Sequence, residues 1–123
     1  MNSAPTIKAT FQLDEDGQPR FVKGGDHKHY RIRLNVENVP KDTYAVTYSL
    51  HESYYDPVRE SRDRATGFAE ELTSYGDYTV QAKIRSRECT TTVAAALSDA
   101  LQVGHAGSMS PKVEAALKDI RVN

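Results

Sequence analysis

Residues 30–36 read Tyr30-Arg31-Ile32-Arg33-Leu34-Asn35-Val36, and their alternation is the clearest indication of the fold. Apolar residues occupy every second position and polar residues lie between them, which is typical of a strand with one buried face. The same period of two recurs in residues 7–13, 44–50 and 78–84. Turn-forming clusters separate these segments. The sequence therefore predicts a mainly β fold, an antiparallel β-sandwich of short strands.

Shorter segments connect the alternating ones. Residues 21–22 predict a brief return strand, and residues 67–72 predict another short strand. Residues 51–66 show no periodicity and predict a long loop, whereas residues 73–77 predict a tight one. These two loops flank strands, so a sandwich allows them to meet at one end.

The C-terminal third has a different character. Residues 90–96 are rich in Thr and Ala, and two interpretations stay open: a strand followed by a short helix capped by Ser98, or one continuous helix. Ser110-Pro111 then opens a final helix. We expect residues 1–109 to form the sandwich domain and residues 110–123 a helix that packs on the domain or mediates self-association.

Composition excludes several classes of protein. The 123 residues suit one domain, and 16 basic against 17 acidic residues give a net charge of -1. A nucleic-acid partner is not expected, because the phosphate backbone is bound by net positive charge. No apolar run approaches the ~20 residues of a membrane helix, so no membrane partner is expected. Residues 1–5 lack the pattern of a signal peptide, and we expect a cytoplasmic protein.

The candidates for catalysis and metal binding are weak. His27 and His29 lie on one side of a strand next to Asp26, but Lys28 crowds the pair with positive charge, so no metal site is expected. Cys89 lacks the surroundings of a nucleophile. The sequence therefore predicts no enzyme and no cofactor; an enzyme that uses Cys89 or the His27/His29 pair is the third hypothesis.

Tyrosines in the two loops are the strongest functional signal. The core is expected to take four aromatic residues, Phe11, Tyr30, Tyr48 and Phe68. Tyr54 and Tyr55 lie in the first loop, and Tyr75 lies in the second beside Gly76. Flat rings, the Ser53 hydroxyl and backbone N–H groups suit a planar, neutral, hydrogen-bonding ligand. The alternative is that these tyrosines only close the end of the sandwich.

The same residues carry a resemblance to a known family. Residues 46–59 read Val46-Thr47-Tyr48-Ser49-Leu50-His51-Glu52-Ser53-Tyr54-Tyr55-Asp56-Pro57-Val58-Arg59, followed by Gly67-Phe68 and by Ser74-Tyr75-Gly76-Asp77-Tyr78. This order resembles the core of a YEATS domain over about residues 27–88, and His51-Glu52-Ser53-Tyr54 is its most specific part. The chain is most similar to the prokaryotic branch of that family.

The resemblance implies an immunoglobulin-like β-sandwich whose end loops form an aromatic slot. In characterised eukaryotic members that slot reads acetyl- or crotonyl-lysine on histone tails. Carried over by motif, the ligand-binding residues would be His51, Ser53, Tyr54, Tyr75 and Gly76, with His27, Tyr55 and Asp77 at the rim. Tyr54 and Tyr75 would stack on a flat amide, and the Ser53 hydroxyl and the Tyr75 N–H would donate to its carbonyl.

The sequence departs from the family pattern at two places. Tyr75 stands where most members have Trp, and Asp26, His27 and His29 occupy a stretch where a further cage aromatic is expected. The leading hypothesis is a non-enzymatic module that binds an acylated protein or peptide. The alternative is a protein-interaction scaffold of a bacterial signalling or conflict system, without a slot. The oligomeric state stays open.

Overall fold

The computed structural model describes residues 4–123. Residues 1–3, which belong to the predicted sandwich domain and to the segment considered for a signal peptide, lie outside the described residues. The described residues form eight strands and two α-helices. In order these are β1 (Thr6–Phe11), β2 (Phe21–Gly24), β3 (His27–Glu37), β4 (Thr43–Ser49), β5 (Val58–Ser61), β6 (Glu70–Ser74), β7 (Thr79–Ser86), β8 (Thr90–Ala96), α1 (Leu97–Gly104) and α2 (Pro111–Val122). Within the described residues, no helix is long and apolar enough to cross a membrane.

Two antiparallel sheets build the sandwich, which confirms the predicted fold class. In the first sheet β3 is central: β1 and β2 pair with successive parts of one edge, and β6 pairs with the other. The second sheet has the order β5-β4-β7-β8. Apolar residues that alternate along the strands face each other between the sheets. The four predicted core aromatics, Phe11, Tyr30, Tyr48 and Phe68, are all buried.

The two helices follow β8 and close the open side of the core. α1 packs on β1, where His105 accepts a hydrogen bond at Nε2 from the Phe11 backbone N–H at 2.9 Å. α2 begins at Pro111, and the Ser110 side chain caps it by accepting from the Val113 N–H. Four α2 residues join the core, namely Val113, Ala116, Leu117 and Ile120. The boundary at residue 109 stays a prediction.

Some predicted elements differ in the structure. Residues 51–66 are not one long loop, because β5 pairs with β4 from Val46↔Ser61 to Ser49↔Val58 and a short 3-10 turn follows at Arg64–Thr66. Only Ser61 of β5 is buried, so no hydrophobic alternation marked this strand. The strand predicted for residues 67–72 starts later, at Glu70, because Gly67 and Phe68 both have positive φ.

The remaining differences concern orientation and the start of a helix. A register irregularity between Thr43 and Ala45 leaves Tyr44 exposed, although the alternation predicted it on the buried face. Residues 90–96 form a strand, which decides between the two interpretations of that segment. α1 then starts one residue before Ser98, because the Ser98 side chain bonds to Asp77 instead of capping the helix.

Candidate ligand-binding groove

A groove of about 600 Å³ lies at the end of the sandwich where the β4–β5 connection meets the β6–β7 connection. We call it the loop groove. Seven of the eight residues predicted for the slot and its rim line it: His51, Ser53, Tyr54, Tyr55, Tyr75, Gly76 and Asp77. His27 instead lines a neighbouring groove and contacts Tyr75 from there. The structure therefore brings together residues from two separate loops, and their roles in binding stay predictions.

The β4–β5 connection is held by hydrogen bonds within the loop. The Leu50 N–H donates to the Pro57 carbonyl at 2.7 Å, and this bond closes the loop at its base. The Ser53 N–H donates to His51 Nδ1 at 3.1 Å, so this nitrogen acts as an acceptor. Ser53 Oγ lies 2.8 Å from the same Nδ1. Since Nδ1 accepts, the Ser53 hydroxyl donates a hydrogen bond to His51, and its oxygen lone pairs are available to another partner.

Tyr54 forms one wall of the groove and is fixed through its hydroxyl. It donates to the Thr73 carbonyl of β6 at 2.7 Å and accepts from the Tyr78 hydroxyl at 3.0 Å. The Tyr54 and Tyr78 rings meet edge to face with centroids 5.7 Å apart, and His51 contacts the Tyr78 ring at 5.8 Å. Burial and the bond to Tyr54 raise the pKa of Tyr78, which keeps it a neutral donor.

Arg59 supports Tyr54 from the side. Its guanidinium carbon lies 5.6 Å from the centroid of the Tyr54 ring, within cation–π distance. The same group donates to the Asp56 carbonyl at 3.0 Å and the Glu71 carbonyl at 2.6 Å, which ties the loop to β6. Burial raises the pKa of the neighbouring Glu70 carboxyl, and Arg59 opposes that rise.

Tyr75 forms the second wall and is 45% exposed. The His27 ring stacks on it with centroids 4.4 Å apart and an interplanar angle of 20°, and the His29 ring meets it edge-on at 5.1 Å. Both histidines of β3 therefore pack against the Tyr75 ring. Because their rings support Tyr75, they fix the orientation of this wall.

Gly76 and Asp77 have structural partners of their own. The Gly76 N–H donates to Ser74 Oγ at 3.3 Å, so this backbone group already has a partner within the loop. A Cβ at Gly76 would lie 3.0 Å from the backbone of Asn123, so the end of the α2 segment packs closely against this loop. Both Asp77 carboxylate oxygens accept from Ser98, one from its N–H at 2.9 Å and one from its hydroxyl at 2.6 Å. Asp77 thus anchors the loop to α1.

Sequence reasoning missed two residues of the groove. Tyr78 belongs to the strand pattern and to the motif Ser74-Tyr75-Gly76-Asp77-Tyr78, but it is not among the predicted binding residues, although the acidic-aromatic step at Asp77-Tyr78 marks it. Arg59 ends the quoted motif but is not among the predicted binding residues, and only the fold shows that its guanidinium lies over the Tyr54 ring. Across residues 4–123 no group of three or more His, Cys, Asp or Glu side chains is arranged to hold a metal ion.

Solved structures with a similar fold share the sandwich. The Yaf9 YEATS domain recognising an H3K122suc peptide gives a TM-score of 0.53 at 16% identity, over 85% of this chain and 80% of that one. The Yaf9 YEATS domain bound to H3K27ac gives a TM-score of 0.52 at 16% identity, over 79% of this chain and 75% of that one. The yeast AF-9 homolog protein Yaf9 gives 0.51 at 19% identity, over 76% and 69%. These likenesses show the fold.

The sequence itself identifies the family. A comparison with curated protein sequences gave no match. Residues 30–95, however, match the family model of the prokaryotic YEATS domain. This segment covers more than half of the chain, runs from β3 to β8 and includes both loops of the groove. The chain therefore belongs to the prokaryotic YEATS domain family.

Proposed function

We propose that the loop groove binds the side chain of an acylated lysine on a partner protein or peptide, and that the domain acts as a binding module without catalysis. One observation carries this proposal: Tyr54 and Tyr75, from different loops, line one groove together with the Ser53 hydroxyl. Tyr54 is fixed by hydrogen bonds and Tyr75 by histidine rings, so both walls are in place before a ligand arrives.

The chemistry of the walls fits a secondary amide. An acyl-lysine carries a flat amide group that stacks favourably on tyrosine rings. The Ser53 oxygen can accept a hydrogen bond from the amide N–H, because the Ser53 hydroxyl donates its own hydrogen bond to His51. This assignment replaces the sequence-based prediction that Ser53 donates to the acyl carbonyl. The carbonyl would then take its donor from the backbone near Tyr75.

Discrimination against unmodified lysine follows from charge. An ammonium group that leaves water needs a counter-charge, whereas a neutral amide needs only hydrogen bonds. Asp77 lines the groove, but both of its carboxylate oxygens already accept from Ser98. Unmodified lysine would therefore lose hydration and compete with Ser98 for Asp77. The acyl amide avoids this cost.

The partner is proposed from the chemistry of the groove and from family membership. Two of the Yaf9 structures named above show the YEATS domain recognising an H3K122suc peptide and bound to H3K27ac, and those observations belong to that protein. For this chain we propose an acylated protein or peptide of unspecified sequence. A cytoplasmic setting and the absence of nucleic-acid and membrane partners stay predictions from the sequence.

Isothermal titration calorimetry with two matched peptides tests the proposal. The peptides have one sequence and differ only in whether their central lysine is acetylated or unmodified. We expect binding of the acetylated peptide and at least tenfold weaker binding of the unmodified one, equivalent to about 1.4 kcal/mol. Equal affinities would contradict the proposal and favour the scaffold alternative, in which contacts do not depend on the modification.

A further inference from the structure

The outer edge of the second sheet is formed by β8, whose residues from Thr90 to Ala96 include no charged side chain and no proline. Its pairing with β7 is regular over all seven residues, without a bulge. Edge strands of soluble proteins usually carry lysines, prolines or bulges that prevent pairing with another chain. β5, at the opposite edge of the same sheet, is only four residues long and carries Arg59 and Glu60. β8 has none of these protections.

The hydrogen bonds at both ends of the β7–β8 pair show which backbone groups face outward. The Ser86 N–H donates to the Cys89 carbonyl, and the Leu97 N–H donates to the Tyr78 carbonyl. Cys89 and Leu97 lie in the same register as β8, and hydrogen-bonded pairs occur at every second residue of an antiparallel ladder. The odd-numbered residues of β8 therefore form the backbone hydrogen bonds to β7. Thr90, Thr92 and Ala94 therefore direct their N–H and C=O groups away from β7. Their small side chains are exposed and leave room for another strand.

We propose that β8 pairs antiparallel with β8 of a second copy of this chain across a two-fold axis at Val93. In this register Thr92 faces Ala94 of the second copy, and each such pair exchanges two backbone hydrogen bonds. The four-stranded sheets of the two copies then form one continuous sheet. The loop grooves of the two copies lie at opposite ends of the dimer.

β8 is suited to pairing with its own copy because it carries no charge near the proposed two-fold axis. A residue near a two-fold axis lies beside its own copy, so any charge there would repel itself. Thr92, Val93 and Ala94 carry none. The rival surface for self-association, the apolar stripe of α2, is already buried in the core of its own chain. Of the two, β8 is therefore the surface available to a second copy.

Sedimentation velocity over a concentration series tests the proposal on the ligand-free protein. The variant Thr92→Lys places a positive charge beside the two-fold axis. Gln81→Lys is the control, because it adds the same charge on the same exposed face of the sheet but on the central strand β7. We expect the wild type and Gln81→Lys to approach the mass of two chains as concentration rises, and Thr92→Lys to stay at one. Thermal melts followed by circular dichroism check that both variants are folded.

Amide hydrogen exchange measured by NMR locates the contact. In the wild type the N–H groups of Thr92 and Ala94 should exchange more slowly as concentration rises, and in Thr92→Lys they should exchange fast at every concentration. A wild type that stays at one chain throughout, or a Thr92→Lys variant that dimerises as the wild type does, would overturn the proposal. Neither result depends on whether the loop groove binds acyl-lysine.

Discussion

The phenolic oxygens of Tyr54 and Tyr78 lie 3.0 Å apart, and this hydrogen bond joins the two sides of the loop groove. Tyr78 directly precedes β7, whereas Tyr54 belongs to the β4–β5 connection. Because the Tyr54 hydroxyl donates a hydrogen bond to the Thr73 carbonyl, the chain of hydrogen bonds runs from the start of β7 through the loop to β6. The position of the Tyr54 wall thus depends on a residue outside its own loop, Tyr78 in the β6–β7 connection.

Tyr78→Phe removes the donor from this chain and keeps the ring. We expect a loss of about 1 kcal/mol in the free energy of unfolding, the usual contribution of one hydrogen bond, and severalfold weaker binding of an acetyl-lysine peptide. Urea denaturation and calorimetry measure the two effects. Tyr44→Phe removes a hydroxyl from an exposed tyrosine and serves as the control. Unchanged peptide affinity in Tyr78→Phe would show that Tyr54 does not need this bond.

Asp77→Ala should loosen the β6–β7 connection and the start of α1. The substitution leaves the N–H and hydroxyl of Ser98 without their acceptor, and Ser98 is buried, so we expect a loss of about 2 kcal/mol in the free energy of unfolding. Ser98→Ala in the Asp77→Ala background should cost little more, because the hydroxyl has already lost its partner. Urea denaturation of both variants provides the comparison. Full additivity of the two effects would argue against the contact.

His105 should make stability depend on pH. Burial lowers its pKa below the ordinary value of 6.5, and its Nε2 accepts from the Phe11 N–H, which requires the neutral ring. As pH falls through 6.5 the unfolded chain binds a proton at this residue before the folded chain does. The contribution of neutral His105 to the free energy of unfolding is therefore complete above pH 6.5, and it is lost as the pH falls toward the pKa of His105 in the folded chain.

Urea denaturation of the wild type and of His105→Gln at pH 7.5 and pH 5 measures this dependence. We expect the wild type to lose more stability than the variant between the two values, since the variant lacks the titrating ring. The other three histidines are common to both proteins and cancel in the comparison. The same loss in both proteins would assign the pH dependence to other groups.

Gly104→Ala should be the most destabilising of these substitutions. A Cβ at this position would lie 1.8 Å from the Ala9 carbonyl oxygen, so α1 and β1 must separate to admit it. We expect a loss of about 3 kcal/mol or more in the free energy of unfolding. Gly107→Ala is the matched control: it has a positive φ of 84° but no atom within 4 Å of the added Cβ, and should cost about 1 kcal/mol. Similar losses in both variants would contradict close packing at Gly104.

Much of the fold was predictable because burial alternates along the long strands, as in Tyr30, Ile32, Leu34 and Val36. β5 was not predictable, since its backbone pairs with β4 while most of its side chains face water. The groove was found through the order of residues from His51 to Tyr54 and around Tyr75. Its supports were not: the stacking of His27 on Tyr75 joins segments far apart in the chain, and the contact of Arg59 with Tyr54, although close in sequence, depends on how the β4–β5 connection folds back.

Tyr75→Ala removes one aromatic wall of the loop groove, and calorimetry measures its effect on the affinity for an acetyl-lysine peptide. Tyr44→Ala is the control, because Tyr44 is 46% exposed and Tyr75 45% exposed, but Tyr44 does not line the groove. We expect Tyr75→Ala to weaken binding by about 1–2 kcal/mol, roughly 5- to 30-fold, and Tyr44→Ala to leave it unchanged. Binding that is unaffected by Tyr75→Ala, or weakened equally by both substitutions, would contradict recognition of the acyl amide in the loop groove.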